Sequence, residues 1–395
     1  MQMSSKQSPS YPDFREELAL LPLFDHHCHG VVPKDLSRAD FEAMISESSR
    51  PAPEGLTCFD SQLGFQVLAK CAPILGAQPW CSPEEYLGQR RQLGAAEANS
   101  RLLQASQLTD LGVDTGFSPD VITPADELGR ISGTTPHEVV RLEYLAEQVA
   151  QEFLSPGAPQ EADGALARKF LDALAVRLSD ALRGAIGVKS IAAYRIGLDF
   201  EAARPTTEEV LESAQYFLRG TAPLRLADPV LIRYLLWLAI DAGQVIQLHI
   251  GYGDDDVDLH RCNPLLLTEL FRLSRDTGAH FTLLHCYPYH REAGYLAHVF
   301  EHVYFDVGLA INYTGSRSDA VIAESLELAP FGKILFSTDA FGLAELYYLG
   351  AELYRDGLAQ ALAEFHDFHG WPKEQCLRVA RMISYDNAAR VYGTD

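Results

Sequence analysis

No two cysteines in this 395-residue chain form a CxxC pair, and their total of seven is odd. A disulfide framework and a thiolate zinc site are both disfavoured, leaving Cys28, Cys58, Cys71, Cys81, Cys262, Cys286 and Cys376 as reduced thiols. Long apolar runs are missing too. The stretch from Leu231 to Ile240 is interrupted by Arg233 and ended by Asp241, too short and too charged for a membrane span. The opening MQMSSKQSPSYPDF lacks the apolar segment of a signal peptide, so the expectation is a cytoplasmic protein. Clusters of Lys and Arg are absent as well. With 54 acidic against 32 basic residues the formal net charge is -22, which repels nucleic-acid phosphates and anionic membranes. Neither is an expected partner. The chain shows no short repeat, low-complexity tract or flexible interdomain linker, and 155–164 (SPGAPQEADG) reads as a loop.

What is present is a globular composition, 47% hydrophobic and 22% charged, on a chain long enough for one large barrel with insertions or for two smaller domains. The first strong β-like run is LPLFDHHCHG at 21–30. Seven more follow, as TDLGVDTGF, HEVVRLEYL, AIGVKSIAAY, QVIQLHI, HFTLLHCY, HVYFDVG and KILFSTDA, with helix-like stretches between them, several ending in Gly. Eight strand–helix alternations fit a parallel α/β barrel better than a doubly wound sheet, though pattern alone does not separate the two. The reading is a (β/α)8 TIM barrel over 1–395, with a helical insertion over 35–108 after the first strand and C-terminal helices from about 343. That insertion also offers a surface for self-association. The other partner expected is a small-molecule substrate.

The strongest chemical signal is DHHCH at 25–29. Residues two apart on a strand share a face, roughly 6.6 Å apart along the chain, so His27 and His29 can turn toward one ion. Alone, the motif fits two hydrogen-bonded core histidines as well as two ligands. His249, His285 and Asp339 each sit where a β-like run meets a polar loop, the end of a barrel strand at which active sites are built. Asp339 could instead cap the helix that follows it. Lys189 could reach the same mouth or a structural ion pair; Arg195 could clamp an anion or pair at the rim. By alternation His26 and Cys28 face away from the ligands, and Cys28 and Cys286 read as packing thiols. Arg141 and Glu143 would share a strand face. His290, His298 and His302 read as surface or capping residues, and the acidic run Asp254, Asp255, Asp256 and Asp258 as a solvated loop over the site.

The order HxH, Lys, His, His, Asp along eight strands resembles the amidohydrolase superfamily, and the resemblance covers essentially the whole chain. GVKSIAAYRIGL (187–198), LLHCYPYHREAGYLAHVF (283–300), VYFDVG (303–308) and NAARVYG (387–393) look like its amidohydrolase-2 branch, which includes nodulin-like domains that can be fused to a glutamine-synthetase-like domain. The resemblance implies that His27, His29, His249 and Asp339 hold a divalent ion, zinc first, at about 2.0–2.2 Å, with manganese or iron also suited. Zinc lowers the pKa of a bound water from 15.7 to about 7. It further implies Asp339 as catalytic proton acceptor and His285 as the residue that polarises the substrate or joins a second ion; Lys189 through its ammonium, and Arg195 by its guanidinium chemistry, are the substrate-binding candidates. One ion is favoured over two; a carboxylated Lys189 would bridge a pair. The expected reaction is hydrolysis of an amide or related C–N bond in a small carboxylated substrate. The alternatives are a decarboxylase or uronate-isomerase-like enzyme on the same barrel, or a catalytically silent binding barrel.

Overall fold

The computed structural model describes residues 8–154, 163–219 and 224–394; most of the loop expected at 155–164 lies outside them. Seven parallel strands run in sequence order around one sheet: β1 (Phe24–Cys28), β2 (Asp110–Asp114), β3 (Thr135–Arg141), β4 (Ala185–Ser190), β5 (Val245–His249), β6 (His280–Leu284) and β7 (Val303–Phe305). The eighth run, KILFSTDA, closes the ring without forming a regular ladder. Leu335 N–H donates to Phe305 O at 2.9 Å on one side; on the other, His26 N–H donates to Phe336 O at 3.1 Å and Asp339 N–H to His27 O at 3.0 Å. Its ladder breaks because Thr338 N–H donates to the Asp25 carboxylate rather than to a strand carbonyl. The fold is an α/β TIM barrel.

The HEVVRLEYL run is a strand only as far as Arg141; the helix Leu142–Phe153 begins at the next residue. Glu143 therefore does not share a strand face with Arg141. It lies in the first turn of that helix and accepts hydrogen bonds from Ser190 Oγ and Ile191 N. Between β1 and β2 the chain is helical, including Arg38–Ala43 and Pro83–Leu93. Ser37 and Ser82 cap these two helices in reciprocal boxes with Asp40 and Glu85.

The apolar core lies mainly between the outer strand faces (Val188, Leu248, Phe281, Phe305) and the surrounding helices. A second cluster fills the barrel's N-terminal end, where Phe24, Val245, Tyr304 and Leu335 meet Ala388 and Tyr392 of the terminal helix Asn387–Tyr392. Helix Ala344–His369, roughly 39 Å long at 1.5 Å per residue, packs along Tyr11–Ala19 and Ala95–Ala105. Near its start the buried Glu345 accepts from Tyr86 Oη and Arg90 Nε, both at 2.8 Å. None of the described helices is long and apolar enough to cross a membrane.

Candidate metal centre

Strand register fixes which side chains enter the barrel. Lys189, Gln247, Thr282 and Tyr304 are partners across four adjacent strands and share the inner face. His249, two residues past Gln247, shares it as well. On β1 period-two alternation fails: Asp25 pairs with Leu111 but Cys28 with Val113, so three steps on β1 match two on β2. This bulge reverses the parity within His26–His27, and both rings lie inside. His26 thus faces away from the ligand cluster but not out of the barrel, contrary to simple alternation. It bonds Tyr392 Oη at 2.9 Å and Asp306 Oδ2 at 3.0 Å. Cys28 joins the outer apolar core.

On β6 the inner positions are Thr282 and Leu284, so strict alternation would send His285 outward. Its φ of 40°, in the left-handed region, turns it inward instead. Asp339, at φ 50°, keeps the parity of Leu335 and Ser337 and ends the eighth run. Such backbone costs roughly 1–3 kcal/mol per residue and persists only where surroundings hold it. Asp339 does not cap the following helix, which starts at Ala344 with Leu343 before it.

His27 Nε2 lies 3.0 Å from Asp339 Oδ1, His29 Nε2 3.7 Å from the same oxygen, and His285 Nε2 3.8 Å from Oδ2. The donor atoms of His27, His29 and Asp339 all fall within 4.8 Å of one another. His249 stands beside this group, its ring 4.5 Å from that of His285 and 4.3 Å from that of Tyr194. His29 Nδ1 faces Asp114 O at 3.3 Å and His285 Nδ1 faces Ile250 O at 3.1 Å. Each carbonyl takes an Nδ1–H, which leaves both Nε2 lone pairs toward the cluster. His285 is then an acceptor, suited to a cation or a proton rather than to polarising a carbonyl.

The residues fit a divalent cation on two counts. The Nε2 atoms of His249 and His285 are buried with no hydrogen-bond partner among the described residues, at roughly 1–3 kcal/mol each if nothing meets them. Second, His27 Nε2 lies 2.9 Å from Lys189 Nζ as well as 3.0 Å from Asp339 Oδ1. A neutral ring cannot accept from the ammonium and donate to the carboxylate through one nitrogen. Burial, with Lys189 adding, pushes His27 down to about 3, so the ring is neutral at pH 7. A cation resolves the conflict by taking both the nitrogen lone pair and the carboxylate oxygen. Burial likewise lowers His249 and His285 and brings Lys189 down to about 8. Burial alone would raise Asp339, but His285, His27 and His29 hold it well below the usual carboxylate range.

A cavity of about 430 Å³ opens over the cluster, lined by His29, Lys189, His249, His285 and Asp339 and, toward the rim, by Glu47, Tyr194, Tyr313 and Asp254. Arg195 also lines it but bonds Glu147 at 2.8 Å. Arg141 is held by buried Asp114 at 2.5 Å. The acidic run is partly tied down: Asp256 pairs with Arg225 and Asp255 accepts from Ser49 Oγ. Of the other histidines His298 is exposed, while His290 and His302 are buried, on Glu324 and Ser274 respectively. Glu47, Tyr194 and Asp306 were not singled out from sequence. Tyr194 lies within GVKSIAAYRIGL and Asp306 within VYFDVG.

Residues 153–394, well over half the chain, match the amidohydrolase family. The chain belongs to that family. A candidate metal-dependent hydrolase from Lactobacillus casei shares the fold of this amidohydrolase at a TM-score of 0.83, with 29% identity over 96% of this chain and 97% of its own. Protein fluG of Emericella nidulans is 28% identical over an alignment of 404 positions that covers 94% of this amidohydrolase but 45% of fluG; the chain thus spans about half of that relative. Glucuronate isomerase from Caulobacter crescentus, at 15% identity and a TM-score of 0.66 over 99% of this chain and 95% of its own, shares the barrel.

Proposed function

We propose that this amidohydrolase cleaves an amide or related C–N bond of a small, carboxylated substrate with the help of one divalent ion, zinc first among candidates. The observation that carries this is the meeting of His27, His29 and Asp339 donors within 4.8 Å, beside the unpartnered Nε2 atoms of His249 and His285. The near-complete overlap with a candidate metal-dependent hydrolase at 29% identity supports hydrolysis. Isomerase neighbours at 13–15% identity share the barrel alone.

An ion held by His27, His29, His249 and Asp339 would supply Lewis acidity and lower the pKa of water. The carboxylate of Asp339, an anion at neutral pH, accepts a proton and returns it to the leaving nitrogen. His285 stands ready as a second acceptor. Lys189 offers its ammonium to a substrate carboxylate, and Arg195 contributes the donors that Glu147 leaves free. The seven free cysteines suit a reducing compartment such as the cytoplasm.

The test is turnover of a panel of N-acyl amino acids and related amides in ¹⁸O-labelled water, on protein whose metal content has been measured. One ¹⁸O in the released acid is expected. Loss of CO2, or a rearranged product without label, would move the protein to the decarboxylase or isomerase reading. Less than a tenth of an equivalent of metal, with no gain on reconstitution, would end the metal-centre reading itself.

A further inference from the structure

Beneath the candidate ligands lies a fully buried carboxylate that touches none of their side-chain donor atoms. Asp306 follows β7, a strand that contributes no ligand. Its Oδ1 accepts from His285 N at 2.9 Å, Gly308 N at 2.7 Å and Ser337 Oγ at 2.7 Å, while Oδ2 meets His26 Nε2 at 3.0 Å. Its backbone adds two bonds: Asp306 N–H donates to Leu283 O, and Cys286 N–H donates to Asp306 O, both at 3.0 Å. Three of its side-chain contacts belong to segments that carry residues of the candidate metal centre. His26 precedes His27, Ser337 lies two residues before Asp339, and His285 is itself bound through its N–H.

We infer that Asp306 is a positioning residue that sets the directions of His27, His285 and Asp339 at the metal centre; the inference rests on the metal-centre reading. His285 shows the need most clearly. Its left-handed backbone has to be held for the ring to face inward at all, and the bond from its own N–H to Asp306 holds it. Packing around the carboxylate leaves no slack: a Cβ on Gly308 would lie 2.1 Å from Ser337 Oγ and 3.1 Å from Asp306 Oδ1. A carboxylate suits the place because two oxygens with about four lone-pair sites can serve four donors at once. An asparagine there keeps one such oxygen and turns an NH2 group on His26.

The test is titration of metal-stripped protein with Co2+, read by visible absorption and equilibrium dialysis, beside the melting temperature of the metal-free form. In Asp306→Asn we expect about tenfold weaker Co2+ binding, typical of losing a partner that orients ligands, and shifted absorption bands. The metal-free melting temperature should move little. Unchanged bands and affinity would overturn the inference, as would a lowered melting temperature with wild-type bands. Should Asp306→Asn fail to fold, Ser337→Ala carries the test: altered bands are expected, and wild-type bands overturn the proposal. A wild type that binds no Co2+ ends the metal-centre reading and this inference together. Normal wild-type binding with unaltered variants ends this inference alone.

Discussion

The two ends of the barrel treat their interior histidines in opposite ways: His26 is bonded at both ring nitrogens, whereas His249 and His285 each leave Nε2 without a hydrogen bond among the described residues. At the N-terminal end Tyr392 Oη meets His26 Nδ1 at 2.9 Å, Gln247 Nε2 at 2.8 Å and Thr282 Oγ1 at 3.4 Å, all inside an apolar plug. At the C-terminal mouth the Nε2 atoms of His249 and His285 have no hydrogen bond among the described residues, and His27 faces two groups it cannot satisfy together. Satisfied polar groups hold a core in one arrangement, and unsatisfied ones are a cost that a ligand can offset. The floor therefore serves stability and the mouth serves chemistry.

The sharpest way to break this comparison is Asp339→Asn. Turnover should fall by roughly 10²–10⁴-fold, the share attributable to a positioned proton acceptor, with folding intact by circular dichroism. An active variant would remove Asp339 from the chemistry, and an unfolded one would make the mouth a structural region after all. Arg90→Ala should show the converse. Removing one partner of the buried pair with Glu345 should cost about 3–5 kcal/mol in urea denaturation and leave the metal content of the folded protein unchanged. Tyr392→Phe deprives His26 and Gln247 of a shared partner at the floor; a loss of about 1–3 kcal/mol is expected, again with normal metal binding. Depleted metal in Tyr392→Phe would show that the two ends are coupled, and in Arg90→Ala that the ligands depend on the helical cover beside the mouth.

The smallest effect is a pH dependence at the rim. Glu47 is pushed up from 4.5 to about 7, chiefly by burial, with Asp339 and Asp254 adding to it against a hydrogen bond from Tyr313. Its folded pKa lies above its unfolded one, so the native state holds the proton more tightly. Its contribution to stability is fully present below about 4.5 and is lost as pH rises to about 7. Glu47→Gln carries no such penalty. In metal-free protein the variant's melting temperature should gain on wild type between pH 4.5 and 7 and hold that gain above. A difference independent of pH would show that Glu47 is not held protonated.

Much of this was legible without coordinates. The alternation of strands and helices indicated the barrel, and the placement of His27, His29, His249, His285 and Asp339 at strand ends indicated the mouth. Period-two alternation also put His27 and His29 on one face, where both meet Asp339. It failed at His26, where a bulge changes the parity, and at His285, where positive φ reverses the direction. For Arg195 sequence left two roles open, and the structure shows the ion pair: the partner is Glu147, forty-eight residues away in the chain, beyond the reach of any local pattern.

The sequence by itself determined the order of the strands and which chemical groups stand at their ends, because hydrophobic period and residue type are local properties. Tertiary structure alone decided where those groups point. The bulge in β1, the left-handed turn at His285, the irregular eighth strand and the carboxylates of Asp306 and Asp25 depend on bonds between residues far apart in the chain. Side-chain direction at a strand end follows the backbone there, and that backbone is held by partners no local pattern names.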